Sequence, residues 1–313
     1  MSTAIYDKTA GDLLRDALRD ASIVGVGIPI NGEDWTIASS ALNDVLSFWQ
    51  AKAQINLWRE TQALLPLNPN QSDYFLGPNG DHCFTDYVYS VSNASAIAGA
   101  TGIFINNGAV IAAAGYTTGD FVGVELDTGF RHWTTIAGLA GGVIALTTPI
   151  PTASRAGSSI YVYRTKIDRP IRILDAQTSI NRGTYDTPVK QISRKEYYNL
   201  SNRNDFTGNV NQWYYSPQLN NGQLSVWPAS DGKASTLIFT FVKPQYIPED
   251  QSENILIPSE FYLALKWAVA SELAVTYAVS SDRLVAIESK ARAALEDALS
   301  NDVENDYFSV QPE

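Results

Sequence analysis

A chain of 313 residues that is 45% hydrophobic and only 18% charged can bury a substantial core, which excludes an intrinsically disordered protein. Its net charge of −11 excludes a surface that grips nucleic acid throughout, and a single cysteine, Cys83, excludes an intramolecular disulfide. The longest apolar stretches fall short of the roughly 18 residues a membrane span needs, and the opening MSTAIYDKTAGDLL lacks a basic segment followed by an apolar run, so the expectation is no secretion signal and synthesis in a reducing cytoplasm.

In chain order, Thr9–Ala21 predicts a first helix, with Leu13, Leu14, Ala17, Leu18 and Ala21 on one stripe and Thr9 with Asp12 as an N-terminal capping pair. Gly and Pro between Val24 and Gly32 break it, and Asn31-Gly32 favours a turn. Asp34 is the expected cap of a second helix, from Trp35 to about Ala53, whose stripe runs through Ile37, Ala41, Leu42, Val45, Leu46 and Trp49; the two form an antiparallel pair. Residues 55–67 fit either a helical extension or a strand. The turn-forming NPNQSD and the short DYFLGPNGDH that follow favour a hairpin.

Between Tyr87 and Thr165 charge almost vanishes before Asp120, and alternation replaces helical spacing. Strands are predicted at 103–105, 121–126, 132–136, 143–146 and 160–164, with Asp127-Thr128-Gly129 as a hairpin turn. Regularly spaced strands with Gly-rich turns predict a small sandwich or barrel inserted into a helical body. Beyond it, RPIRILDA, PVKQIS, WYYSPQ, QLSVWPASDG and STLIFTFVKPQ read as further strands, with a short helix at RKEYY. Helical spacing returns at Pro258-Ser259 through Phe261, Ala264, Leu265, Ala268, Leu273 and Tyr277. A last helix starts at Ser280-Ser281-Asp282 and carries Leu284, Ile287, Ala291, Ala294, Leu295 and Ala298. The fold class is therefore α+β: a body of residues 1–86 and 166–313, with helix pairs at both ends and short β-hairpins, carrying an all-β domain at 87–165.

Chemistry-bearing motifs are sparse. Asp127-Thr128-Gly129 matches the aspartic-protease triplet, yet Phe130 follows and the turn reading is preferred. His82 and His132 have no partners at metal-ligand spacing, and His82 beside Cys83 does not by itself make a nucleophile and base. Gly25-Val26-Gly27 lacks the remaining residues of a phosphate loop. The chain is read as a non-enzyme without cofactor or metal. Charge is uneven: Arg164, Lys166, Arg169 and Arg172 begin a basic stretch that extends to Lys195, while the tail after Asp297 is acidic. These four basic residues are candidates for salt bridges to a neighbouring subunit, with a solvated face or contact with passing DNA as the other readings.

Several segments in fixed order resemble the head-to-tail adaptor, or head-completion, proteins of short-tailed bacteriophages. They are ALNDVLSFWQAKAQINLWRE with YFLGPNGD, RPIRILDA, QISRKEYYNL, WYYSPQ with LSVWPASDG, and LIPSEFYLALKWAVASELA. The resemblance implies a helical adaptor body and a virion structural protein at the portal vertex, assembled in the host cytoplasm. It implies a ring of about twelve copies joined through heterologous interfaces, which connects the portal protein to the tail nozzle protein while DNA passes through the lumen without sequence-specific binding. A neutral or acidic lumen is expected. The tail is expected to dock on the portal through Tyr307 and Phe308, and the β-domain to face outward against neighbours, the portal rim or tail appendages. No membrane contact is implied. The alternative is a tail-associated protein that binds host carbohydrate through Trp133, Tyr161 and Tyr163.

Overall fold

The computed structural model describes residues 8–25, 27–52, 59–180, 185–201, 206–232 and 235–301. In chain order its elements begin with α1 (Ala10–Asp20), α2 (Gly32–Ala51), β1 (Glu60–Pro66), β2 (Asp73–Leu76), β3 (Tyr87–Val91) and β4 (Gly102–Phe104). There follow α3 (Gly108–Ala113), β5 (Phe121–Glu125), β6 (Arg131–Ala140), β7 (Val143–Leu146) and β8 (Ser159–Tyr163). Next come β9 (Arg172–Ile180), β10 (Tyr185–Pro188), β11 (Lys190–Gln191), α4 (Arg194–Tyr198), β12 (Thr207–Gly208) and β13 (Gln212–Ser216). The last elements are β14 (Gly222–Trp227), β15 (Ala229–Ser230), β16 (Thr236–Val242), α5 (Ser259–Thr276) and α6 (Ser281–Asn301). The fold is mixed α+β and divides into two compact units, residues 1–59 with 245–313 and residues 60–244. The expected limits of the β-domain, 87 and 165, lie inside the second unit.

The first unit is built from both ends of the chain. Thr9 caps α1 by accepting from the Asp12 amide, and its hydroxyl donates back to the Asp12 carboxylate at 3.0 Å. The next free amides of that first turn, Ala10 and Gly11, donate to the carbonyls of Glu253 and Gln251 at 2.8 and 2.9 Å, so a distant segment satisfies donors that every helix start leaves open. Asn31 rather than Asp34 caps α2: its side chain accepts from the Asp34 amide at 2.7 Å. The Asn-Gly pair that suggests a turn is the helix entry itself, because an extended Asn is as good a cap as an Asp. α2 ends at Ala51, and residue 53 lies outside the described residues. Helix α5 packs against α1, α2 and α6. Its Phe261, Ala264, Leu265, Val269, Ala270 and Leu273 share one core with Leu14 and Leu18 of α1, Leu42 and Leu46 of α2, and Ile287 of α6. Trp49 meets Phe261 edge to face at 6.4 Å, and Tyr277 donates to Asp34. No helix among the described residues is long and apolar enough to cross a membrane.

The second unit holds two layers and a barrel. One sheet runs β1-β16-β9-β10 and another β11-β13-β14-β2. Alternation along β1 and β16 sends Ala63, Leu65, Leu237 and Phe239 to a core shared with Tyr74, Leu76, Trp213, Leu224 and Val226 of the other sheet. The hairpin expected between residues 55–67 and the returning DYFLGPNGDH does not form among the described residues. β1 pairs antiparallel with β16 and β2 with β14, in separate sheets. Residues 68–72 do turn, held by the Tyr74 hydroxyl accepting from the Asn68 amide at 2.9 Å, but they carry the chain from one layer to the other.

β12 and β15 form a short parallel pair, and a six-stranded sheet runs β3-β8-β5-β6-β7-β4. Its end strands meet: Ser92 bridges Ile105, and the Asn93 amide donates to the Phe104 carbonyl at 3.0 Å. The sheet therefore closes on itself, which removes two open edges. Ile103, Ile111, Val122, Val124, Ile136, Ile144, Ile160 and Val162 fill its interior. The predicted Asp127-Thr128-Gly129 turn joins β5 to β6, with Gly129 at φ 83° and its amide donating to Leu126. The Arg155 amide donates to the Asp127 carboxylate at 2.9 Å.

Candidate functional site

The barrel has two apolar faces. Strand β8 is buried along its whole length because Ile160 and Val162 point into the barrel while Tyr161 and Tyr163 point out of it, against β1 and β16. This outer face forms an aromatic seam. Tyr163 lies between Phe84 at 4.5 Å and Phe121 at 5.1 Å, both stacked, and Phe84 also contacts Tyr161, Tyr87 and Trp133. Leu64 and Ile238, paired across β1 and β16, supply the opposite wall. The segment carrying Phe84 is fastened to β1 by reciprocal amide bonds with Leu64 at 2.9 and 3.2 Å.

Gly123 makes the seam possible. It sits directly across the ladder from Trp133, and a Cβ there would meet the Trp133 ring at 2.2 Å, so the indole lies flat over a position that admits no side chain. On Trp133 stacks His82, 4.1 Å away and nearly parallel, and the His82 Nδ1 shares a hydrogen bond with the Tyr163 hydroxyl. Burial, with the Lys166 charge nearby, pushes the His82 pKa down to about 3. The neutral ring is thus the folded form. Because the unfolded chain takes up a proton near pH 6.5 and the folded chain only near pH 3, stability is fully present above about pH 6.5 and falls as pH drops toward 3. Equilibrium urea unfolding between pH 7 and 4 should show this loss, and His82→Phe, which keeps the stack, should flatten it.

Cys83 is fully buried in the core between the two layers, and burial raises its thiol well above the ordinary value. Its core is the one between the two layers, whereas His82 stacks on Trp133 and bonds the Tyr163 hydroxyl, and the raised thiol keeps Cys83 protonated. His132 donates to or accepts from Thr148 at its Nε2, and among the described residues no cluster of His, Cys, Asp or Glu is placed to hold a metal.

The basic residues 164–172 do not make one patch. Arg164 pairs with Asp120 at 3.3 Å, donates to the Gly115 carbonyl at 2.7 Å and lies over the Tyr116 ring. Lys166 donates to the Gly80 carbonyl, which ties the exit of β8 to the loop after β2. Arg169 is half-buried near Tyr215, and Arg172 leaves β9 as an exposed side chain. Tyr307 and Phe308 lie outside the described residues. Trp133, Tyr161 and Tyr163 are placed in the seam: Tyr161 is 5% and Tyr163 0% exposed, and His82 covers one face of Trp133.

One concave feature borders the seam. A cleft of about 240 Å³ opens between the barrel and the β1-β16-β9 face, lined by Leu64, Tyr87, Tyr89, Tyr161, Ser179, Thr236 and Ile238. Beside it Arg131, 8% exposed, places its guanidinium 5.3 Å from the centre of the Tyr161 ring. Sequence reading passes over Tyr87, Tyr89 and Arg131. The one local signal is Arg131 opening a strand with no other Lys, Arg, Asp or Glu, opposite Glu125, the register that the Asp127 turn fixes.

The chain matches no protein-family model and no curated relative.

Proposed function

We propose that this chain is a structural subunit of a bacteriophage head-to-tail connector, a ring through which DNA passes between portal and tail nozzle. The observation that carries the reading is the union of the two chain ends in one four-helix core, with the whole β-rich unit as an excursion between them. The collinear segments that suggest the resemblance lie on α2, β2, β9, α4, β13, β14 and α5 and the chain around them, so they supply elements of both units. A ring requires each subunit to offer two different faces, and exposed apolar side chains such as Phe48 on α2, Leu263 and Val275 on α5 and Val285 on α6 offer contact area. The acidic balance suits a lumen wall that must release phosphates rather than hold them. Arg172 remains the member of the basic group best placed for a neighbouring subunit, since Arg164 and Lys166 are engaged within their own unit. The barrel, poor in charge, braces protein neighbours.

In this reading Tyr307 and Phe308 anchor the acidic tail in a groove of the portal. Truncation after Ser300 should leave helical circular dichroism and thermal unfolding unchanged while abolishing co-sedimentation with the portal protein; retained co-sedimentation would refute the anchor. Mass measurement of the purified chain with and without portal protein tests the ring itself. Single chains alone and a multi-subunit complex on the portal are expected; a chain that ignores the portal would speak against the connector. The carbohydrate alternative, as framed on Trp133, Tyr161 and Tyr163, meets side chains already packed on Phe84, Phe121 and His82.

A further inference from the structure

The cleft beside the seam has features that packing does not account for. Two tyrosines from β3, Tyr87 and Tyr89, lie on one face of that strand, and Tyr161 faces them from β8 at ring distances of 5.9 and 5.3 Å. Across the opening stand Thr236 and Ser179, paired in register between β16 and β9, and the apolar pair Leu64 and Ile238. The site thus offers aromatic faces on one wall and hydroxyl groups around it, in a volume suited to a single six-membered ring with substituents.

Arg131 adds a charge. Its Nη1 reaches the Leu67 carbonyl only at 3.5 Å, and its Nε and Nη2 have no hydrogen-bond partner. Glu125 stands opposite across the ladder and its charge acts on the guanidinium, but its hydrogen bonds run elsewhere: its Oε2 accepts from the amide and hydroxyl of Ser159. A guanidinium that is more than nine-tenths buried and keeps two donors unmatched is a costly arrangement, which a bound anion or ordered water would relieve. The guanidinium lies over the ring of Tyr161, whose residue lines the cleft.

We propose that this cleft binds a carboxylate-bearing sugar ring of the uronic-acid type. The faces of Tyr87 and Tyr89 receive the ring, the hydroxyls of Tyr87 and Thr236 meet its hydroxyl groups, and the planar fork of Arg131 takes the carboxylate. The site borders Tyr161, one of the three aromatics considered for host recognition, but its ligand contacts come from Tyr87, Tyr89, Thr236 and Arg131, and it stands whether or not the chain forms a ring.

Isothermal titration of the full chain with glucuronate, glucose and acetate tests the proposal. Glucuronate should bind about tenfold or more tightly than glucose, which lacks the carboxylate, and than acetate, which lacks the ring. Arg131→Met, similar in length but without the fork, should weaken glucuronate binding about tenfold while leaving glucose unchanged. Tyr87 is 36% exposed at the rim, so Tyr87→Ala should fold normally and weaken glucuronate and glucose alike, which keeps the test decisive should Arg131→Met fail to fold. No heat from glucuronate up to about 20 mM, a concentration far above any specific site, would overturn the proposal and leave water as the partner of Arg131. Equal binding of glucose and glucuronate, equal binding of acetate, or full binding by both variants would overturn it as well.

Discussion

Phe84→Ala is expected to destabilise the 60–244 unit by about 3–5 kcal/mol, the range for truncating a fully buried phenylalanine. Phe84 is 0% exposed and touches Tyr87, Trp133, Tyr161 and Tyr163, while its backbone adds a rung to the edge of β1. Removing the ring leaves the stacked Tyr163 without one neighbour and opens a hole at the centre of the seam, which the closed barrel cannot collapse to fill. Near-ultraviolet circular dichroism should lose the aromatic signal before the helical signal at 222 nm changes, because the helices draw on a separate core. A loss below about 1 kcal/mol would mean that the seam does not hold the barrel to its neighbouring sheet.

Leu265→Ala should cost about 2–5 kcal/mol in the helical unit. Leu265 is 0% exposed on α5, the helix that packs against all three others, and no adjacent side chain in a helical interface can move to replace it without disturbing α1 or α2. The expected signature in calorimetry is a lowered transition for the helical unit with the β unit's transition kept, as two cores predict. Simultaneous loss of both transitions would show that the units do not unfold separately.

How far the sequence speaks depends on whether the interaction is local. Thr9 with Asp12, and Pro258 with Ser259, mark helix starts that the structure places within a residue, because a cap and its helix are written next to each other. The strands from 121 to 163 and the Asp127 turn are legible for the same reason: period-two alternation and turn chemistry act over a few residues. Pairing partners are not local. The Asn68–Ser72 turn announces that the chain reverses but not that Ala63 will lie beside Phe239, so β1 and β2 look like a hairpin and belong to different sheets. Asn31 fails for a subtler reason, since a turn-forming Asn-Gly and a helix cap look alike until the helix is seen.

The cleft is the least legible feature. Its lining comes from β1, β3, β8, β9 and β16, and no two-residue window of the sequence hints that Tyr87 and Thr236 will share a wall. Trp133, Tyr161 and Tyr163 read equally well as sugar-stacking or as core aromatics, because alternation identifies two faces of a strand without saying what covers the second. Here it is covered by Phe84 and His82.

The connector reading is tested most directly by electron cryomicroscopy of intact virions carrying this chain. The reading predicts continuous density for the chain as a ring at the portal vertex, its helical units side by side between portal and tail. Density for the chain on the capsid shell or on a distal fibre, with the portal vertex closed by other proteins, would contradict it.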